Sequence, residues 1–362
     1  MSGKLKVAVL MGGSSAERNV SLSTGRQILN ALDASKYDVY ALDTGSGVME
    51  LPAGALGNMR VLTFDEVTEG ASTFVAGDSQ PVTQLTELGR VPKTQRPDVV
   101  FIALHGPGGE DGTVQGMLEV LGVPYTGSGV LASALAMDKA MSKRVLTAAG
   151  VLMPRDIVAK RGHDLPDSPF PGEERGWGRG VSGEGFPVPL PLIVKPSRQG
   201  STFGVTVVDE LARLDAALEN AFRYDDTALV EQFITGTEIT VPIIGNDDLE
   251  ILPIVEIVPA KGFYDYEAKY TPGATEEIVP ARITDEQTAE ARRIAELCHR
   301  TLGCQGMSRT DMIVARDGQI YTLEVNTIPG MTPTSLLPRS ADAAGISFSK
   351  LLDRLIELAL QK

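Results

Sequence analysis

Apolar positions along the chain follow two periods. KVAVLMGG (6–13) is a continuous apolar run closed by glycines, which predicts a buried parallel strand, and SLSTGRQILNAL (21–32) repeats its apolar residues at helical spacing. VVFIALHG (99–106) restates the strand pattern, TVQGMLEVLG (113–122) is helical, and VPYTGSG marks a further strand and turn. Strand, loop and helix in that order predict an open parallel α/β domain over residues 1–137. A helix over about 138–149, MDKAMSKRVLTAAG, is stopped by Gly150 and opens a second domain.

There LPLIVKP (190–196), FGVTVV (203–208) and ALVEQF (228–233) read as strands, with ELARLDAALENAF (210–222) a helix, so a small α+β lobe is expected over 138–236. From ITVPII (239–244) onward strands alternate with one strong helix, EQTAEARRIAELCHRTLG. Thr284 to Gln287 fit a capping box at its start and Gly303 its stop. The amphipathic SKLLDRLIELAL is expected to pack on this third domain, 237–362. Between Lys160 and Leu192 proline and glycine replace periodicity, which predicts a long irregular loop.

Composition changes this picture little. A chain of 362 residues exceeds one hydrophobic core, and 43% hydrophobic with 22% charged residues is the balance of a globular enzyme. No apolar run approaches the roughly 18 residues of a membrane helix. MSGKLKVAVLMGG is too short in its apolar part for a secretory signal, so a cytoplasmic address without membrane attachment is expected. A formal charge of −14 opposes nucleic-acid binding and does not attract an anionic nucleotide from a distance, so any phosphate site must be built locally. Cys298 and Cys304 read as ordinary thiols, and His163 and His299 as surface residues.

Three stretches carry candidate chemistry. Asp311 lies on SRTDMIV, and Glu324 and Asn326 lie two apart on YTLEVN, so all three can meet on one face; three oxygen ligands suit Mg²⁺. The alternative is a solvated strand edge. KPSRQGSTFGV sets Lys195 at a strand end before a Gly- and Ser-rich connection able to offer backbone N–H groups to phosphate, the alternative being a plain hairpin turn. It is no Walker loop, and GGSSAER after the first strand lacks the GxGxxG spacing of a dinucleotide site. Glu231 and Glu238 bracket a turn in VEQFITGTEITV and, taken alone, read as surface carboxylates. GFYDYEAKYTPGAT, aromatic and charged between glycines, suits a closing lid.

Taken in order, GGSSAERNVSLSTG, FIALHGPGGEDGTVQGMLEVLGVPYTGSG, MDKAMSKRVL, IVKPSRQGS, FYDYEAKY, RTDMIV and EVNTIPGMTPTSL resemble the D-alanine:D-alanine ligases over about residues 6–360. The resemblance implies the three-domain ATP-grasp fold, α/β and α+β, and ATP-dependent joining of two D-alanines through a D-alanyl phosphate for peptidoglycan precursors. It further implies that Lys139 and Lys195 bind ATP phosphates beneath the loop 197–204, with Lys269 reaching the γ-phosphate and Glu231 and Glu238 holding adenine and ribose. Asp311, Glu324 and Asn326 would hold two Mg²⁺ (or Mn²⁺) ions, with a monovalent cation such as K⁺ as an accessory. Glu17 would engage the ammonium of the first D-alanine beside His105 and join Ser201 and Tyr270 in a hydrogen-bonded trio. Arg309 and the Gly330 N–H would form an oxyanion site, and Ser335 with the Leu336 backbone would take the second D-alanine's carboxylate.

A homodimer is implied as well. Gln232, Ser308 and Thr334 depart from residues common in the family, and bear on nucleotide affinity and the second substrate site. Competing readings are a depsipeptide ligase taking D-lactate, which Tyr270 argues against, and a catalytically silent nucleotide-binding regulator, which the intact set of charged residues opposes.

Overall fold

The structure is a computed structural model and describes residues 3–15, 17–44, 96–163, 188–259 and 274–362. The chain divides into two compact units, one made of Met1–Val130 with Ile328–Lys362 and the other of Leu131–Thr327.

The first unit is built on a parallel sheet in which β1 (Leu5–Met11) lies between β2 (Tyr37–Asp43) and β3 (Val99–Ile102). A continuous apolar run suits a strand covered on both faces, and Val7 to Leu10 are wholly buried. Helices α1 (Arg18–Ala31) and α2 (Thr113–Leu121) follow their strands as the periodicity predicts. The strand expected in VPYTGSG shrinks to one bridge between Val100 and Tyr125, because glycines at 127 and 129 give the segment to turns. α3 (Val130–Met137) begins where the two units divide.

In the second unit α4 (Lys139–Ala148) precedes two antiparallel sheets. The smaller has the order β4, β7, β5, β6, formed by Asp156–Lys160, Thr227–Gln232, Leu192–Pro196 and Thr206–Val208. α5 (Leu214–Ala221) packs on it through Leu214, Ala217 and Leu218, against Val194 and Val208. The larger sheet runs β11 (Thr275–Ile278), β10 (Val255–Pro259), β8 (Gly236–Gly245), β12 (Gly306–Ala315), β13 (Ile320–Asn326), with β9 (Glu250–Ile251) beside β8. α6 (Asp285–Leu302) covers this sheet with Ile294, Ala295, Cys298 and Leu302 against Val241, Met312 and Val325. Its capping box has both reciprocal bonds, Gln287 N–H to Thr284 Oγ1 and Thr284 N–H to Gln287 Oε1, and Gly303 closes it at φ +72°.

Two expectations need correction. His299 is 1% exposed and its Nδ1 lies 2.7 Å from Ser308 Oγ. It sits four residues after Ala295 and three before Leu302, so the helical period that buries those residues buries it too. The helix SKLLDRLIELAL is α8 (Phe348–Ala359), after α7 (Leu336–Ala343), and packs on α1 and β3 of the first unit instead of on the domain that precedes it in sequence. Leu351, Leu352, Leu355 and Ile356 form its buried stripe, and Tyr37 donates to Asp353 at 2.8 Å. An amphipathic pattern says that a face is covered without saying by what. His163 is exposed and both cysteines are buried free thiols, as expected. Most of the Pro- and Gly-rich stretch (164–187) and most of the candidate lid, with Lys269 and Tyr270, lie outside the described residues.

Candidate functional site

The second unit holds a cavity of about 350 Å³ between its two sheets, within the size of a small-molecule site. One wall is cationic. β5 carries Lys195 one residue before its end, with its Nζ 2.7 Å from Glu231 Oε2, and α4 begins at Lys139, whose Nζ lies 2.9 Å from the Gln199 carbonyl and 3.1 Å from Glu324 Oε2. The loop after β5 is tied to that helix start. Ser197 Oγ donates to Asp138 at 2.9 Å and accepts from the Ala140 N–H at 3.2 Å, while the Lys139 N–H donates to the Ser197 carbonyl. Arg198 pairs with Asp225 at 2.9 Å. Beyond this anchored start, Ser201 and Thr202 sit at φ +50° and +64°, a left-handed backbone costly for residues with a side chain, and both line the cavity. Such strain is characteristic of ligand clamps.

The larger sheet supplies carboxylates. Strand register sets Asp311 on β12 directly across from Glu324 on β13, and Arg309 across from Asn326, with a bulge between Asp311 and Met312. Alternation therefore gathers Asp311, Glu324 and Asn326 on one face, as the two-residue spacing predicted. Asp311 is held hard: Arg309 donates to it through Nε at 2.9 Å and Nη2 at 2.8 Å, and Thr240 Oγ1 at 2.5 Å. Among the described residues no group of three or more His, Cys, Asp or Glu could hold a metal. Two carboxylates with an amide oxygen do fit Mg²⁺, which takes few protein ligands and completes its shell with water and phosphate. Glu238, two residues from Thr240 on β8, also lines the cavity.

Glu231 differs from its sequence reading as a surface carboxylate. It is 2% exposed, with Oε1 2.8 Å from Lys143 Nζ and Oε2 on Lys195. Burial alone would push its carboxyl up, but the ammonium groups of Lys195 and Lys143 outweigh that and hold it below the ordinary value. Burial likewise opposes the charge on Lys195, and Glu231 with Glu324 overcomes it, leaving that pKa raised. Lys143 also reaches Asp156 Oδ1 at 3.2 Å. Sequence reasoning missed Lys143, Asp156 and Thr240, although Lys143 follows Lys139 by the four residues that align side chains on a helix.

In the first unit, the turn after β1 and the end of β3 carry a second group. Glu17 and His105 are buried; Ser15 Oγ accepts from the Glu17 N–H at 3.2 Å and donates to the His105 carbonyl at 2.7 Å. Thr24 Oγ1 lies 3.2 Å from His105 Nε2. A Cβ on Gly106 would stand 2.7 Å from Glu17 Oε2, so only glycine lets these turns approach. In the same unit Ser335 stands at the N-cap position of α7 without a side-chain cap bond, its Oγ instead engaging Thr332, whose N–H and Oγ1 lie 3.2 Å and 2.8 Å away; Leu336 is buried. A Cβ on Gly330 would meet Ser335 Oγ at 3.0 Å.

A small-molecule cleft between two antiparallel sheets, lined by lysines paired with carboxylates, is the arrangement expected of the ATP-grasp enzymes that the sequence resembles. Family models described as D-ala D-ala ligase N-terminus and D-ala D-ala ligase C-terminus match residues 6–128 and 185–357. The chain is 44% identical to a D-alanine–D-alanine ligase of Syntrophobacter fumaroxidans, across 99% of this chain and 98% of that one. The D-alanine–D-alanine ligase of Bacillus anthracis, solved with ATP, superposes with TM-score 0.72 at 32% identity, covering 99% of this chain and 98% of that one. The VanG D-Ala:D-Ser ligase of Enterococcus faecalis gives 0.73 at 31%, covering 99% and 100%. The chain belongs to the D-alanine–D-alanine ligase family.

Proposed function

We propose that this protein joins two D-alanine molecules into D-alanyl-D-alanine at the expense of ATP, supplying the dipeptide for peptidoglycan precursors. The observation that carries the reading is the single cavity holding Lys139, Lys195, Asp311 and Glu324 together. The carboxylate oxygen of the first D-alanine attacks the γ-phosphorus and ADP leaves. The amine of the second then forms the C–N bond as the acyl C–O bond to phosphate breaks and the amine gives up a proton. Lys139 and Lys195, which both line the cavity, would neutralise phosphate oxygens, and the strained loop 197–204 would cover them. Asp311, Glu324 and Asn326 would hold Mg²⁺ or Mn²⁺, which when bound supplies charge neutralisation at the transferred phosphoryl group.

Glu231 and Glu238 would serve the base and ribose end, and Lys269 the γ-phosphate. Glu17 with His105 would receive the first D-alanine; their tethering through Ser15 and Thr24 supports a fixed carboxylate facing an ammonium. The trio of Glu17, Ser201 and Tyr270, the oxyanion role of Arg309 and Gly330, and the carboxylate role of Ser335 and Leu336 complete the proposal, as do an accessory K⁺, domain divisions near residues 137 and 236, a homodimer and a cytoplasmic setting. No helix among the described residues is long and apolar enough to cross a membrane. The test is phosphate release from Mg·ATP with D-alanine, L-alanine, or D-alanine plus D-lactate or D-serine, with products identified by mass. D-alanyl-D-alanine formed from D-alanine alone is the expected result; preference for D-lactate or D-serine would replace the second substrate, and no turnover would overturn the enzyme reading.

A further inference from the structure

Asp156 on β4 and Glu231 on β7 are direct cross-strand partners in the smaller sheet. Opposed side chains of an antiparallel pair stand roughly 5 Å apart at Cβ, and like charges placed so repel. Lys143 is inserted between them, its Nζ 3.2 Å from Asp156 Oδ1 and 2.8 Å from Glu231 Oε1. The other oxygen of Glu231 holds Lys195 at 2.7 Å. Glu231 and Lys195 line the cavity, whereas Lys143 does not, and it is 5% exposed.

We propose that Lys143 is a positioning residue of the nucleotide site: by occupying one oxygen of Glu231 and neutralising its repulsion with Asp156, it fixes the carboxylate that presents Lys195 to the cavity. The inference rests on the nucleotide reading of that cavity. Without Lys143, Glu231 faces Asp156 with no cation between them, and Lys195 becomes its only counterion. The Lys195 ammonium is then drawn off the phosphate position. Asp156 is the less buried partner, and burial leads its raised pKa even with Lys143 beside it, so this carboxylate is the readier of the two to accept a proton when the bridge is lost.

The experiment measures Mg·ATP binding by calorimetry, the separate KM values for ATP and D-alanine, and Tm, in the unmodified protein, Lys143→Met, Asp156→Asn and the double variant. Lys143→Met is expected to weaken Mg·ATP binding at least tenfold and raise the ATP KM in step, with the D-alanine KM within twofold. The double variant, relieved of the opposed charges, is expected to regain Tm while binding of Mg·ATP stays weak, because Glu231 still lacks its second anchor. Should Lys143→Met fold poorly, the double variant alone decides. Unchanged Mg·ATP affinity in a folded variant, or affinity that returns together with Tm, would reduce Lys143 to charge balance and overturn the proposal. Lack of Mg·ATP binding by the unmodified protein is seen before any variant is made, and overturns the nucleotide reading with this inference.

Discussion

The Nε2 of His299 is buried without a hydrogen-bond partner among the described residues, and burial pushes the imidazole pKa down to about 4. Between its ordinary value of about 6.5 and about 4, the unfolded chain takes up a proton that the folded chain refuses. Stability therefore falls as pH drops through that window and levels off below it. His299→Gln should shrink the stability lost between pH 7 and pH 4.5 by about 2 kcal/mol, read from urea midpoints at each pH. At the same scale, Arg309→Ala removes both guanidinium bonds to Asp311 and the proposed oxyanion donor. Loss of one such donor costs about 3 kcal/mol of transition-state stabilisation, so kcat should fall by about two orders of magnitude in steady-state phosphate release, and an unaltered kcat would remove Arg309 from the chemistry. Side-chain placement was legible where period decided it, as for Asp311 and Glu324, which face each other across β12 and β13. It was not for His299, since treating histidine as a surface type overrode a helical period that already buried it. For Glu231 the obstacle was different: nothing in VEQFITGTEITV reveals that two lysines from distant segments converge on one carboxylate.

Elements followed their local signals closely. The α6 start and stop were readable because capping is a contract between residues three apart, and both halves of it are present. Thr284→Ala should lower stability by about 1 kcal/mol, with little effect on the ATP KM, since the cap lies on an exposed turn; thermal or urea unfolding checks the first and initial rates the second. Strand ends were read less well. The run FGVTVV yields only Thr206–Val208 because the residues before it belong to the strained loop, whose shape is imposed by Ser197 on α4 and Arg198 on Asp225. Those anchors are long-range, and local propensity carries no trace of them. The bulge between Asp311 and Met312 was equally invisible, though the facing of the carboxylates survived it.

Across the molecule, the α/β opening and the later antiparallel lobe could be anticipated from the order of patterns, but the destination of the last helix could not. Residues Ile328–Lys362 belong with Met1–Val130, so the first unit is assembled from two separated stretches and the second lies entirely between them. Ending the chain after Thr327 should leave the second unit resistant to limited proteolysis while the first, deprived of Leu351, Leu352, Leu355 and Ile356 against α1 and β3, is cut rapidly; equal resistance of both would show that α8 is dispensable. The same division sets the order of events during synthesis. Although the segment through Val130 leaves the ribosome first, the helices that complete its unit are made only after residue 328. The later-born but uninterrupted middle thus has all of its own residues before the earlier-born beginning does, which makes the beginning the part of the nascent chain where chaperone protection is expected to matter.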